Sequence, residues 1–397
     1  MLKTEVLDLF AQGPWPHFAE DEVAAVTAVL QSGKVNYWTG EHCTAFEREY
    51  SQATQRSHGI ALANGTLALE LALLAFGIGP GDEVVTASRT YVASASCAVM
   101  RGAVPVLADV DADAQCVTAE TLRAALTPRT RALVVVHLAG WPCPMDEIMA
   151  LAAERNLIVV EDCAQAHGAT LGGRPVGSFG HAAAFSFCQD KIISTGGEGG
   201  MLVLDDQDAW QRAWAYKDIG RSFDAVHHRK HAPGFRWLTE SFGSNWRLTE
   251  MQAAIGRIQL AKLPAWTAAR QTNAQTLADG FAGLPLLRVP VPPAEVGHAR
   301  YKFYAFVRPE ELATGWSRDR IMAEMNERGI PCTVGSCSEV YLEKAFSDRG
   351  WGREERLPVA RALGESSLMF MVHPGLPPDA LKATVGAMRD VAGLATR

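Results

Sequence analysis

Three short stretches of the chain carry side chains that could do chemistry together. In FSFCQDKIISTGGEGGM (185–201) one lysine, Lys191, stands between an apolar run and a glycine cluster. In VVEDCAQAHGA (159–169) Glu161 and Asp162 close another apolar run, and Gln165 and His167 follow within reach of the same crevice at the strand's end. In LANGTLALEL (62–71) Asn64, Gly65 and Thr66 open a strongly helical segment. A lysine amine can attack a carbonyl carbon. A carboxylate can hold a proton on a neighbouring nitrogen. The N–H groups at a helix start, helped by a threonine hydroxyl, can hold an anion.

Each stretch alone has an ordinary explanation. A lysine before glycines is most often a surface charge, an acid after a strand steadies a loop, and Asn64 reads as a helix N-cap. Together they read differently. A lysine, a carboxylate and an anion cradle, all at strand ends, meet the requirements of pyridoxal phosphate. The lysine would form a Schiff base with the aldehyde. A carboxylate would keep the pyridine nitrogen protonated, so that the ring withdraws electrons from the substrate carbon. The helix start at Gly65 would hold the phosphate. Tyr91, in SRTYVAS after another apolar run, is placed to cover one ring face.

The elements that must position these groups follow from the hydropathy pattern. Continuous apolar runs at 83–88, 104–110, 132–140, 157–164, 182–187 and 200–206 predict strands buried on both faces. Helical stretches at 65–77 and 144–156 lie between them, the second opening with Pro144 and acids. This rhythm predicts an α/β fold with a mainly parallel sheet. All three chemical stretches then lie at strand ends, where open α/β sheets bind ligands. Beyond about residue 265 the pattern changes. A proline-spaced connection (284–293), strands at 301–309 and 368–375, and helices at 317–329 and 377–393 predict a smaller α+β unit. A long helix over 247–263 would bridge the two. The expected division is 1–264 and 265–397.

Composition narrows the class of function. The 397 residues are 48% hydrophobic and 20% charged, the balance of a folded chain, with a net charge of −7 that argues against nucleic acid as a partner. No basic leader and no run long enough to span a bilayer is present, which predicts a cytoplasmic protein. The eight cysteines form no C-x-x-C pair, and no Cys/His grouping has zinc spacing, so no metal is expected. The basic segment 217–244, with Arg221, His227, His228, Arg229, Lys230 and His231, could meet a nucleotide diphosphate or be a solvated loop.

The stretches ANGTLALELAL, VVEDCAQAHGA, FSFCQDKIISTGGEGGML and GSNWRLTEMQAAIGRIQLAKL together resemble the DegT/DnrJ/EryC1/StrS family. These are pyridoxal-phosphate-dependent aminotransferases of fold type I that mostly act on nucleotide-linked keto-sugars. The likeness runs from NYWTGE (36–41) to MVHPG (371–375). It implies that Lys191 is the Schiff-base lysine and proton shuttle, and that Asp162 pairs with the pyridine nitrogen. Gln165 would lie beside the ring near its phenolic oxygen. Gly65, Thr66 and Ser186 would bind the phosphate, and Tyr91 would stack on the ring. Asn245 would reach the phosphate in a neighbouring subunit's site, which makes the active unit a homodimer. The implied reaction aminates a nucleotide-linked 4-keto-6-deoxy or 3-keto sugar, with glutamate as donor.

The chain departs from the commonest family pattern at three places. ISTGGEGG carries an added glycine, the segment 217–244 is long, and GIPCTVGSCSEVYLEKAF (329–346) lacks histidines that many relatives carry. A cyclitol aminotransferase and a non-catalytic regulator that keeps the fold are the alternatives. A sugar dehydratase of this fold would carry histidine in place of Lys191.

Overall fold

The computed structural model describes residues 3–397. Seven strands build the main sheet: β1 (His58–Leu62), β2 (Glu83–Ala87), β3 (Val104–Ala108), β4 (Thr130–Val136), β5 (Ile158–Asp162), β6 (Ala182–Ser186) and β7 (Gly200–Leu204). Their spatial order is β1-β7-β6-β5-β4-β2-β3, and β7 alone runs antiparallel to its neighbours. The apolar runs are strands, as expected, and the sheet is α/β and mainly parallel. The sequence reading missed β1. It is an edge strand that begins half-exposed with His58 and Gly59, so it lacks the continuous apolar signature of the central strands.

Period-2 alternation divides the sheet into two faces. Val84, Val134, Val160, Ala182 and Ala184 pack against helices α1 (Gly65–Ala75) and α2 (Ala93–Met100). Val85, Leu133, Val135 and Val159 face the opposite layer, with helix α3 (Met145–Arg155). The same parity carries Asp162 and Ser186, at the ends of β5 and β6, onto the α1–α2 side. It carries Glu161 to the other side.

The expected bridging helix is longer than the sequence suggested. Helix α4 runs from Glu250 to Phe281, and Pro264 lies inside it. Thr249 caps its start, its hydroxyl accepting from the Gln252 N–H. The expected division at 264/265 therefore falls within one continuous helix. The last turns of α4, from Ala274, join the core of the smaller unit. That unit holds a three-stranded antiparallel sheet of β8 (Leu287–Arg288), β9 (Phe303–Val307) and β10 (Ser367–Phe370), in the order β8-β9-β10. The C-terminal helix α5 (Pro378–Ala395) covers it, and Val6 of the N-terminal helix (Lys3–Gln12) is buried in the same core. Among the described residues no helix is long and apolar enough to cross a membrane.

Candidate active site

Register brings the first parts of the site together. Leu62 on β1 and Ser186 on β6 both pair with Gly200 on β7. The start of α1, three residues beyond Leu62, therefore sits against the end of β6. The approach is close: a Cβ built on Gly65 would lie 2.6 Å from the Ser186 Cβ. The Asn64 side chain caps the helix by accepting from the Leu67 N–H at 2.9 Å. The N–H groups of Gly65 and Thr66 thus lead the helix beside the Ser186 hydroxyl, and Thr66 is exposed. Gly200 allows the same tight packing, since a Cβ there would lie 2.3 Å from the Asn64 carbonyl oxygen.

Asp162 is buried at the end of β5. Ser94, from the first turn of α2, donates to its Oδ2 at 2.7 Å, and the Ala164 N–H donates to its Oδ1 at 3.1 Å. The Thr90 hydroxyl, 2.7 Å from Ser94 Oγ, extends this chain toward the cleft. Among the described residues Asp162 makes no ion pair. Burial pushes its pKa up, against the hydrogen bond from Ser94 and the charge of Lys191. This carboxylate is thus prepared for a cationic partner.

Glu161, its neighbour, has no place in the site. It points the other way and accepts from the Gly177, Phe179 and Gly180 N–H groups at 2.7–2.8 Å and from His137 at 3.1 Å. Burial would raise its pKa, but these bonds outweigh it and hold the carboxyl below the usual range. Glu161, His137 and Cys163 bring their ligand atoms within 4.8 Å of one another. The His137 nitrogens and both Glu161 oxygens are already taken up by these hydrogen bonds and by the Cys143 N–H.

Lys191, Gln165 and Tyr91 line a single cleft of about 440 Å³. Lys191 Nζ lies 3.9 Å from Asp190 and 5.1 Å from the Tyr301 ring centroid. The Lys191 carbonyl accepts from the Trp15 indole at 2.8 Å, which ties the N-terminal segment to the lysine loop. Gln165 is fixed by accepting from the Ala139 N–H at 2.8 Å. Tyr91 is two-thirds exposed at the cleft wall. His167, expected near the crevice, is instead fully buried beneath it. Its Nε2–H donates to the Ser186 carbonyl at 2.8 Å, and its Nδ1 accepts from Tyr50 at 2.7 Å. Burial, with the Lys191 charge, lowers its pKa to about 3, so it acts as a neutral strut under Ser186. The added glycine is at a turn: Gly196 and Gly197 have φ of 87° and 127°, a region that suits glycine.

Two groups of expected residues stand apart. Asn245 is exposed, bridges Asp218 and does not line the cleft. The basic segment is partly paired with acids of its own. Arg229 pairs with Asp224 at 3.2 Å and Glu240 at 2.6 Å, and His231 bonds the Ala225 carbonyl at 2.6 Å. Sequence reasoning missed Ser94, Asp190, Tyr301 and Lys302. Asp190 was visible as the acid next to Lys191. Lys302 was visible as a charge inside an apolar strand.

The residues present fit pyridoxal phosphate. A buried carboxylate lacks an ion-pair partner, a helix start presses on a serine at the end of a strand, and an amine lies in the adjoining cleft. With the mainly parallel seven-stranded sheet, they define an α/β enzyme of the fold-type-I pyridoxal-phosphate class. A profile of the DegT/DnrJ/EryC1/StrS aminotransferase family matches residues 16–389, and the chain belongs to that family. It is an aminotransferase, and its cofactor is pyridoxal phosphate. It is 35% identical to a dTDP-3-amino-3,4,6-trideoxy-alpha-D-glucose transaminase of Streptomyces venezuelae, over 92% of this chain and 91% of that one. It is 34% identical to a UDP-N-acetyl-3-dehydro-alpha-D-glucosamine 3-aminotransferase of Acidithiobacillus ferrooxidans, over 91% of each. The X-ray structure of an aminotransferase from Psychrobacter cryohalolentis superposes with a TM-score of 0.94 at 54% identity, covering 96% of this chain and 98% of that one.

Proposed function

We propose that this enzyme aminates a nucleotide-linked keto-sugar, with glutamate as the amino donor and Lys191 as the reacting amine. The observation that carries the reading is the cleft itself, where Lys191, Gln165 and Tyr91 meet beside a buried Asp162. Both curated relatives, by their names, place nitrogen on carbon 3 of a nucleotide sugar, which favours a 3-keto substrate over a 4-keto-6-deoxy one.

When bound, pyridoxal phosphate supplies a ring that draws electrons from the substrate carbon. Lys191 Nζ would be the amine that holds it and, when free, the base that takes the proton from the substrate's reacting carbon and the acid that returns it. Asp162 keeps the proton on the ring nitrogen, steadied by Ser94 and the Ala164 N–H. Gly65, Thr66 and Ser186 hold the phosphate through N–H and hydroxyl groups, at the positive end of the α1 dipole. Tyr91 would cover a ring face, and Gln165 would lie at the ring's phenolic edge. Asn245 would reach the phosphate of a partner subunit's site. A homodimer, a cytoplasmic location and the working division into residues 1–264 and 265–397 belong to the same reading.

The test has two parts. Borohydride reduction of the purified protein should fix the cofactor to the Lys191 peptide, read by mass spectrometry. The pyridoxamine form should then be offered nucleotide-linked 3-keto and 4-keto sugars and a keto-inositol, with products identified by mass. Amination of a 3-keto nucleotide sugar is expected. Amination of the keto-inositol alone would overturn the substrate assignment, and labelling at another lysine would overturn Lys191.

A further inference from the structure

The cleft contains a second lysine that the reading above leaves without a task. Lys302 immediately precedes β9, on the smaller unit's side of the cleft. Phe303, Ala305 and Val307 are buried in that unit's own core, so alternation turns Lys302 and Tyr304 outward, and both line the cleft with Lys191. The cofactor-facing groups Gly65, Asp162 and Ser186 all come from the large sheet and its helices. Lys302 comes from the other wall, where a substrate must lie.

Its ammonium lacks a matched anion. Among the described residues no carboxylate lies within ion-pair distance, and its one hydrogen-bond acceptor is the Met371 sulfur at 3.5 Å, a weak partner. Lys302 Nζ lies 4.6 Å from the Tyr301 ring centroid, and Lys191 Nζ lies 5.1 Å from the same centroid. The acid beside them, Asp190, is already engaged by Lys191 and by the Tyr301 hydroxyl. Burial above all, with Arg270 and Lys191 acting against Asp190, brings the Lys302 pKa down to about 8. A half-buried cation held this way gains from an incoming oxyanion.

We propose that Lys302 is the oxyanion-binding residue of the substrate cleft and takes the α-carboxylate of the amino-acid donor. This rests on Lys191 being the reacting amine. A donor carries its carboxylate on the same carbon as the amine that reacts there. Lys302 is the cation that lines the cleft besides Lys191 and contacts the same Tyr301 ring, so it is the group the cleft offers to that carboxylate. Two other oxyanions enter the cleft, the donor's γ-carboxylate and the nucleotide phosphate. The half-reactions separate the phosphate. Pyruvate, which has only the α-carboxylate, should lose affinity in Lys302→Met as 2-oxoglutarate does, whereas a loss seen with 2-oxoglutarate alone would assign the γ-carboxylate and overturn the proposal.

The holoenzyme is compared with Lys302→Met and Lys302→Arg. Single-turnover absorbance with glutamate reads the donor half, and the pyridoxamine form with keto-sugar reads the second half. Calorimetric binding of 2-oxoglutarate reads the same cation without turnover. Lys302→Met should weaken donor and 2-oxoglutarate binding by roughly 10- to 100-fold, the effect of losing one charge-assisted hydrogen bond. The loss should fall on KM rather than kcat, and Lys302→Arg should recover most of it. Retained cofactor absorption shows that the variant is folded. A loss confined to the keto-sugar half would assign the phosphate and overturn the carboxylate. Unchanged 2-oxoglutarate binding in a folded Lys302→Met protein would overturn the proposal. A wild-type enzyme that binds 2-oxoglutarate through Lys302 but aminates no sugar would instead strike the function reading.

Discussion

At the scale of single residues, the site is a set of charges whose neighbours decide their state. Removing the Lys191 amine with Lys191→Ala should lower turnover by at least about 10²- to 10⁴-fold, the range for a lost proton-transfer group, and should abolish borohydride labelling. Asp162 tests the environment rather than the group. Burial already raises its pKa, and the Ser94 hydroxyl works against that shift. Ser94→Ala removes the opposing bond, so the Asp162 pKa should climb further. Its carboxylate is needed ionised, so the acid limb of the kcat profile should move to higher pH. A hydrogen bond to a charged group contributes about 1.5–3 kcal/mol, so the limb should move up by about 1–2 pH units. Lys302 predicts the opposite limb. It faces Asp190, Lys191, Arg270 and Tyr301, and it binds an anion only while protonated. Donor affinity should be level below about pH 8 and weaken above it, by up to about tenfold per pH unit. In Lys302→Arg the weakening should vanish, because guanidinium stays charged; a slope that persists there would place the titration on another group.

At the scale of elements, the site depends on how closely a helix start meets a strand end. Gly65→Ala puts a Cβ 2.6 Å from the Ser186 Cβ, so α1 or β6 must shift. Overpacking of this kind costs about 1–3 kcal/mol. The variant should unfold at lower temperature, and its affinity for pyridoxal phosphate should fall, measured by fluorescence titration of the apoprotein. A variant that lost stability but kept full cofactor affinity would detach the phosphate from this junction. Much of this level could be read from the sequence. The central strands are short apolar runs buried on both faces, and their ends carried the acids, the serine and the lysine loop. What could not be read is what depends on partners across space. Glu161 and Asp162 look equivalent in one dimension. Strand parity sends Asp162 to Ser94, and it sends Glu161 to three backbone N–H groups and His137. His167 looked like a crevice residue, but packing against Tyr50 made it a strut. Lys302 shows in the sequence only as a charge at an apolar strand; that it shares a cleft with Lys191 depends on the fold. The basic segment could be an anion site or a solvated loop by sequence, and that Asp224 and Glu240 pair with Arg229 is seen only once folded.

At the scale of the whole molecule, one chain leaves a residue proposed for the cofactor site facing outward. Asn245 is exposed and does not line the cleft of its own chain. The segment before it presents Phe235, Trp237 and Phe242 at 78%, 82% and 99% exposure, an apolar cluster suited to burial against another protein surface. A second copy of the chain would cover these rings and bring Asn245 to the partner's phosphate cradle. The two roles can be separated by complementation. Lys191→Ala disables the site of the chain that carries it. Asn245→Ala, if the residue acts across the interface, weakens the site of the other chain. A mixed dimer of the two variants, purified through different tags, would then have one site with both defects and one with neither. In a twofold-symmetric dimer it should recover about half of the wild-type activity, while each parent homodimer stays impaired. If Asn245 acted within its own chain, each site of the mixed dimer would carry one defect. Its activity would then be no higher than the mean of the two parents, so the assay separates action across the interface from a merely structural role for Asn245.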